Sequence, residues 1–179
     1  VDLRTAEQLG DAYRQINPQC TVPALRTDEG LLLTDNAGIA AYLEARYPEP
    51  PLLGTTPEEK AEVASWNWRM EFEGLLAIAE ALRNSAPAMA NRALPGAVNY
   101  PQIPALAERG LARVDQFFDA LNARLAGRGF VATERLSVAD IAAVVAVDFA
   151  RIVKRKPGEQ HTNLLRWRAA MAERPSMAL

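Results

Sequence analysis

Residues 47–57 read Tyr-Pro-Glu-Pro-Pro-Leu-Leu-Gly-Thr-Thr-Pro, four prolines and a glycine in eleven residues. Proline lacks a backbone donor and fixes φ, so this stretch holds neither helix nor strand. It divides the chain into an N-terminal part over 1–47, a connection over 48–57 and a C-terminal part over 58–179. The connection ends as a helix start: Thr56 is placed to cap, Pro57 takes the first helical position, and Glu59 closes a capping box.

The N-terminal part has mixed α/β character. Val1-Asp2-Leu3 is read as the end of a strand, and Thr5 to Gln15 as a weak helix that stops before Asn17-Pro18. Val22–Arg26 and Leu31–Thr34 are short strand candidates. Thr27-Asp28-Glu29-Gly30 between them is a polar turn with a glycine for positive φ, which predicts a hairpin. A helix is then expected from Asn36 to Tyr47, with Ile39, Leu43 and Tyr47 on one face.

Beyond the connection every strong pattern is helical. Residues 57–84 carry two apolar stripes, Val63, Trp66 and Met70 on one and Trp68, Phe72, Leu75 and Ala79 on the other, so this helix has two neighbours to satisfy. Ser85 to Pro104 holds four prolines and reads as a long loop, a kind usually functional or mobile. Leu106–Leu125 is the next helix. Ser137-Val-Ala-Asp140 is a capping box, with Leu136 and Ile141 placed as a hydrophobic staple. The run Ile141 to Val147 is apolar all round, which predicts a helix buried in the middle of its domain. Lys154-Arg-Lys-Pro-Gly158 ends it, and Thr162–Glu173 is a last amphipathic helix.

Composition removes several functions. A net charge of -2 leaves no basic excess for phosphates, so no nucleic acid is expected as a partner. One cysteine and one histidine are too few for an internal disulfide or a structural zinc site, and no metal is expected. No run approaches the roughly 18 apolar residues of a membrane span, so no membrane association is expected. The absence of disulfides points to a reducing, cytoplasmic compartment.

A small α/β unit with Val-Pro heading a hairpin, a proline connection and an all-helical domain around a capped, buried helix resembles the cytosolic glutathione transferases, in particular their bacterial members. Three stretches carry the resemblance: Asn17-Pro-Gln-Cys-Thr-Val-Pro-Ala-Leu25, Leu33-Thr-Asp-Asn-Ala-Gly-Ile-Ala-Ala-Tyr-Leu43, and Phe130-Val-Ala through Leu136-Ser-Val-Ala-Asp-Ile141. The pattern closes with Asn163-Leu164 and Arg174-Pro-Ser176, so it covers essentially the whole chain. The fold implied is a thioredoxin-like N-terminal domain, incomplete here, followed by an all-α helical-bundle C-terminal domain.

The resemblance implies a cis bond before Pro23, with Val22 offering its N–H and C=O to the cysteinyl unit of glutathione like one rung of an added strand. The residues alone read equally as a trans Val-Pro on an edge strand. Asp35 and Asn36 match the family's acidic-then-serine pair, Asn36 departing from the serine. Asp35 would pair with the α-ammonium of the γ-glutamyl group. Asn36, with the helix start, would hold its carboxylate. The same two residues are good helix caps. Thr21 is too short for the glycyl-carboxylate contact that longer side chains make there in relatives. Trp68 and Phe72 are candidates for lining a second-substrate site, with packing or dimer contact as the alternative.

Cys20 lies beside the hairpin with no neighbouring base and is expected as a buried small residue, not a nucleophile. His161 is expected at the surface or as a cap. Family members begin with a strand and helix that carry the residue nearest the sulfur, so the resemblance implies roughly 20 to 30 residues upstream of Val1. The catalytic residue is therefore unknown, and Tyr13 is not assigned that role. The activity implied is conjugation or exchange of the glutathione thiol, glutathione being the cosubstrate, with a small hydrophobic electrophile or a disulfide. The family's detoxification role and homodimer are implied with it. The alternative is a non-catalytic interaction module that keeps the transferase fold.

Overall fold

A computed structural model describes residues 1–177. At the N-terminus the Asp2 carboxylate accepts from the Arg4 N–H and bends Leu3–Thr5 into a 3-10 turn, and Ala6 follows with φ 57°. A second 3-10 turn, Glu7–Leu9, and a short helix α1, Asp11–Arg14, complete the segment. This corrects both the strand expected at residues 1–3 and the helix expected over 5–15. The Asp2 side chain takes a backbone donor, and the left-handed Ala6 breaks helical bonding one turn later.

The hairpin forms as expected but with shorter strands. Strand β1 (Leu25–Arg26) pairs antiparallel with β2 (Leu32–Leu33), Leu25 opposite Leu33. Thr27 closes the turn by donating its N–H to the Leu31 carbonyl at 2.9 Å and accepting the Leu31 N–H on its hydroxyl at 3.2 Å. Gly30 supplies the positive φ of 88°. Helix α2, Asn36–Arg46, starts from Asp35, whose Oδ1 accepts from the Gly38 N–H at 2.7 Å.

The proline connection is tied down at both ends. Glu44 of α2 accepts the N–H groups of Leu52 and Leu53 on its two carboxylate oxygens at 3.0 and 2.9 Å. The Leu52 carbonyl in turn accepts from Val138 at 3.0 Å, at the start of a helix far along the chain. Thr56 and Glu59 complete their capping box, and α3 runs from Pro57 to Arg69.

The helix over residues 57–85 is not regular. A π turn, Met70–Leu75, separates α3 from α4, Leu76–Ser85. It takes up one extra residue. The exposed stripe therefore continues from Trp68 and Phe72 to Leu76, and Leu75 turns toward the core. Helix α5, Pro104–Arg124, packs along α4 as the most extensive helix pair. Gly110 makes that closeness possible, because a Cβ there would meet the Ala81 nitrogen at 2.6 Å and the Ala77 carbonyl at 2.8 Å.

Helix α6, Val138–Phe149, carries the Ser137–Asp140 capping box. Ala139, Ala143, Val144 and Ala146 are fully buried against Val63, Met70, Ile78, Phe117 and Trp167, in a core cluster that lies in this helical part. The helix is not buried all round: Val145 is 44% exposed. With Ile141 and Ala142 it faces a groove whose other wall is Ile39 and Leu43 of α2.

Helix α7, Thr162–Ala172, is capped from a distance by Asn122, whose Oδ1 accepts from Asn163 and Leu164 at 3.0 and 3.1 Å. His161 just ahead of it is buried, not on the surface. Its Nδ1 accepts the Gly158 N–H at 2.9 Å and its Nε2 lies 3.0 Å from Asp119. The ring also packs edge-on against Phe118, with centroids 6.0 Å apart. Among the described residues no helix is long and apolar enough to cross a membrane.

Candidate functional site

The segment ahead of β1 is shaped by two buried side chains. The Tyr13 hydroxyl donates to the Thr21 carbonyl at 2.7 Å. Asn17 donates to the same carbonyl at 2.9 Å and to the Thr21 hydroxyl at 3.0 Å, while its Oδ1 accepts from Gln19. Both residues are almost completely buried. They hold Thr21 so that the next residue, Val22, leads out of the bend, and the Val22–Pro23 bond is cis.

Val22 is 39% exposed, and its N–H and C=O make no hydrogen bond among the described residues. It lies outside both strands, three residues ahead of the start of β1 at Leu25. A main-chain donor and acceptor left open beside a strand are what an extended peptide needs to add one rung. Because Leu25 pairs with Leu33, Pro23 and Asp35 leave the hairpin at the same end, each two residues beyond that pair. Asp35 is exposed with only its Oδ1 engaged, and Asn36 is exposed at the first position of α2.

Cys20 is buried, its thiol 3.6 Å from the Pro18 carbonyl. Trp68 and Phe72 stack on each other with centroids 4.7 Å apart, and Arg113 lies over the Phe72 ring. Phe72 lines a cavity between α4, α5 and the segment Ala93–Pro95, whereas Trp68 stands outside it. A second cavity opens on the other side of that segment and is lined by Thr21 and Val22. The loop over 85–104 that separates them is held by its own bonds: Gln102 donates to the carbonyls of Arg83 and Ala86, both at 2.8 Å, and Arg92 donates to Asn99 and Gly96.

The pattern described as the glutathione S-transferase C-terminal domain matches residues 86–175, and the glutathione S-transferase N-terminal domain matches residues 3–51. Glutathione S-transferase 2 of Saccharomyces cerevisiae is 31% identical over 99% of this chain and 74% of its own length. The chain belongs to the glutathione S-transferase family.

Its fold is the one expected from the sequence, a thioredoxin-like N-terminal domain followed by a helical C-terminal domain. A glutathione S-transferase domain-containing protein of Marinobacter aquaeolei superposes with a TM-score of 0.88 at 30% identity, over 99% of this chain and 84% of that one. A shorter similarity, 52% over 50 residues, links 28% of this chain to 24% of the maleylacetoacetate isomerase of Pseudomonas aeruginosa.

Two features of this family member were missed in the sequence. Tyr13 and Asn17 converge on Thr21, and Asn17-Pro18 as a turn was the available sign of it. Arg83 and Arg92 approach each other across the loop, and nothing in their spacing announces it.

Proposed function

We propose that the protein is a glutathione transferase whose glutathione site is the end of the hairpin. Val22 supplies its main-chain N–H and C=O to the cysteinyl unit, and Pro23 fixes the direction of that edge. The free oxygen of Asp35 takes the α-ammonium of the γ-glutamyl group. Asn36 and the open N–H groups at the start of α2 take its carboxylate, since a helix N-terminus favours an anion. The open main-chain pair at Val22 carries this reading. Capping by Asp35 is compatible with it, because only one of the two carboxylate oxygens is engaged.

The second substrate is a small hydrophobic electrophile or a disulfide, bound beside Val22 against the helical domain, with Phe72 in its wall and Trp68 stacked behind. The thiolate of glutathione attacks it. Tyr13 is not the group that activates the thiol, since its hydroxyl is committed to Thr21. A cytoplasmic, homodimeric enzyme of detoxification follows from the same reading. Calorimetric titration of the natural protein with glutathione tests it, beside an Asp35→Ala variant. Binding that weakens clearly in the variant is expected. No binding to the unaltered protein overturns the reading and leaves an interaction module on a transferase fold.

A further inference from the structure

Two guanidinium groups, Arg83 near the end of α4 and Arg92 in the loop that follows, have no acidic partner among the described residues. Arg83 is half-buried and donates only to the main-chain carbonyl of Arg92, at 2.8 Å. Arg92, also half-buried, donates to the Asn99 side chain at 3.0 Å and the Gly96 carbonyl at 2.9 Å. Neither takes part in an ion pair among the described residues. One turn before Arg83, Glu80 is already held by Arg109 and Arg113. Burial, and then the Arg92 charge, lower the Arg83 pKa from its ordinary value. Like charges that are partly desolvated and lack a counter-ion cost stability, and an anion set between them relieves that cost.

Both arginines line the cavity of about 520 Å³ that also holds Thr21 and Val22, and no aspartate or glutamate lines it. Arg4, a third cation in its wall, is paired with Asp2. Arg83 and Pro95 also belong to the neighbouring cavity of about 590 Å³, where Phe72, Leu76, Ala79 and Leu106 give an apolar wall. Arg83 thus links the hairpin-end cavity, which it shares with Arg92, to a chamber with one apolar wall, whose charged groups Glu80, Arg109 and Arg113 are already paired with one another. Glutathione has no apolar body to place in that chamber.

On the glutathione-site reading given above, we propose that Arg83 and Arg92 hold a carboxylate of the second substrate, so that the enzyme acts on electrophiles joining an apolar body to a carboxylate. Guanidinium forks match that group, and Arg83 and Arg92 keep N–H donors beyond those engaged within the protein.

The test compares kcat/KM for 4-chloro-3-nitrobenzoate with that for neutral 1-chloro-2,4-dinitrobenzene, in the natural protein and its Arg83→Gln, Arg92→Gln and Arg83→Lys variants. In both reactions the glutathione sulfur bonds to the ring carbon, chloride leaves with the bonding pair and the thiol proton goes to solvent. The anionic-to-neutral ratio is expected to fall about ten-fold or more in each glutamine variant, the loss typical of a hydrogen bond to a charged group. Arg83→Lys is expected to recover part of it. An unchanged ratio overturns the proposal. So does a rise in the KM for glutathione that is equal with both electrophiles, because the pair would then serve the tripeptide itself. Titration with unreactive 3-nitrobenzoate reads the site without turnover: binding lost in Arg83→Gln supports the proposal, and no binding to the natural protein refutes it. Failure of the glutathione reading shows separately, as no heat on titration with glutathione.

Discussion

The hydroxyl of Tyr13 and the side-chain amide of Asn17 meet on one acceptor, the carbonyl oxygen of Thr21, at 2.7 and 2.9 Å. That carbonyl belongs to the peptide unit whose nitrogen is Val22, so two buried side chains set the orientation of the donor proposed to meet glutathione. Tyr13→Phe removes one of them and leaves the ring in place. A net loss of about 1 kcal/mol is expected, a roughly five-fold rise in the Kd for glutathione. Calorimetry checks it, with circular dichroism to show that the fold is kept. An unchanged Kd would mean that Asn17 suffices.

Asp140 is completely buried and accepts from the Val131 N–H at 2.8 Å and from both the N–H and the hydroxyl of Ser137 at 3.0 Å. Burial pushes its carboxyl up from the ordinary value, and the hydrogen bonds from Val131 and Ser137 pull it back. Asp140→Ala leaves buried donors without an acceptor. A loss of about 3 kcal/mol or more is expected in urea unfolding. Ser137→Ala, which keeps the carboxylate and both main-chain donors, is expected to cost only about 1 kcal/mol.

Glu59 titrates with the fold. Hydrogen bonds from the Thr55 hydroxyl and N–H, then from Thr56, with the Arg135 charge beside it, hold its pKa at about 2 instead of 4.5. The unfolded chain therefore takes up this proton first as the pH falls. The stabilisation is complete above 4.5 and is lost on the way down to about 2. Unfolding of Glu59→Gln against the natural protein is expected to show a gap that is constant near neutrality and closes below 4.5. A gap that widens on acidification would contradict it.

Gly110→Ala drives a methyl group into the backbone of α4, toward the Ala81 nitrogen. Backbone cannot move aside as a side-chain tip can, so about 1–3 kcal/mol is expected. For a chain of this size that is a fall in Tm of roughly 2–4 °C per kcal/mol, read by scanning calorimetry.

Much of the fold is legible where a local signal decides the geometry. Thr27 to Gly30 closes a hairpin because a side-chain hydroxyl and a glycine are where the turn needs them. Asp35 and Thr56 each start a helix because each offers a side-chain oxygen to a free N–H group, and at Ser137 the Asp140 carboxylate reaches back to accept the cap residue's N–H and hydroxyl. Residues 1–15 failed because weak helix propensity lost to one aspartate side chain and a left-handed alanine. His161 takes the cap position of α7 but is buried, not at the surface, because its two partners lie at Gly158 and 42 residues away at Asp119. The hairpin end could be found from Val22-Pro23 and Asp35-Asn36. Arg83 and Arg92 could not, because only the path of the loop back over α4 brings them together.

The π turn at Met70–Leu75 gives the long helix one spare residue. In α3, losing a residue would turn everything downstream by about 100° and bring Ala77, Ile78 and Ala81 out of the core, and in α4 it would turn the helix end against the start in the same way. Within 70–75 the loss converts the wide turn into an ordinary one and leaves the register on both sides intact. Deleting the half-exposed Glu71 should therefore be survivable, where deleting Glu62 or Glu80 should not, and thermal unfolding of the three shortened chains would show it. This is where the chain length of the helix can drift without the helical core taking notice.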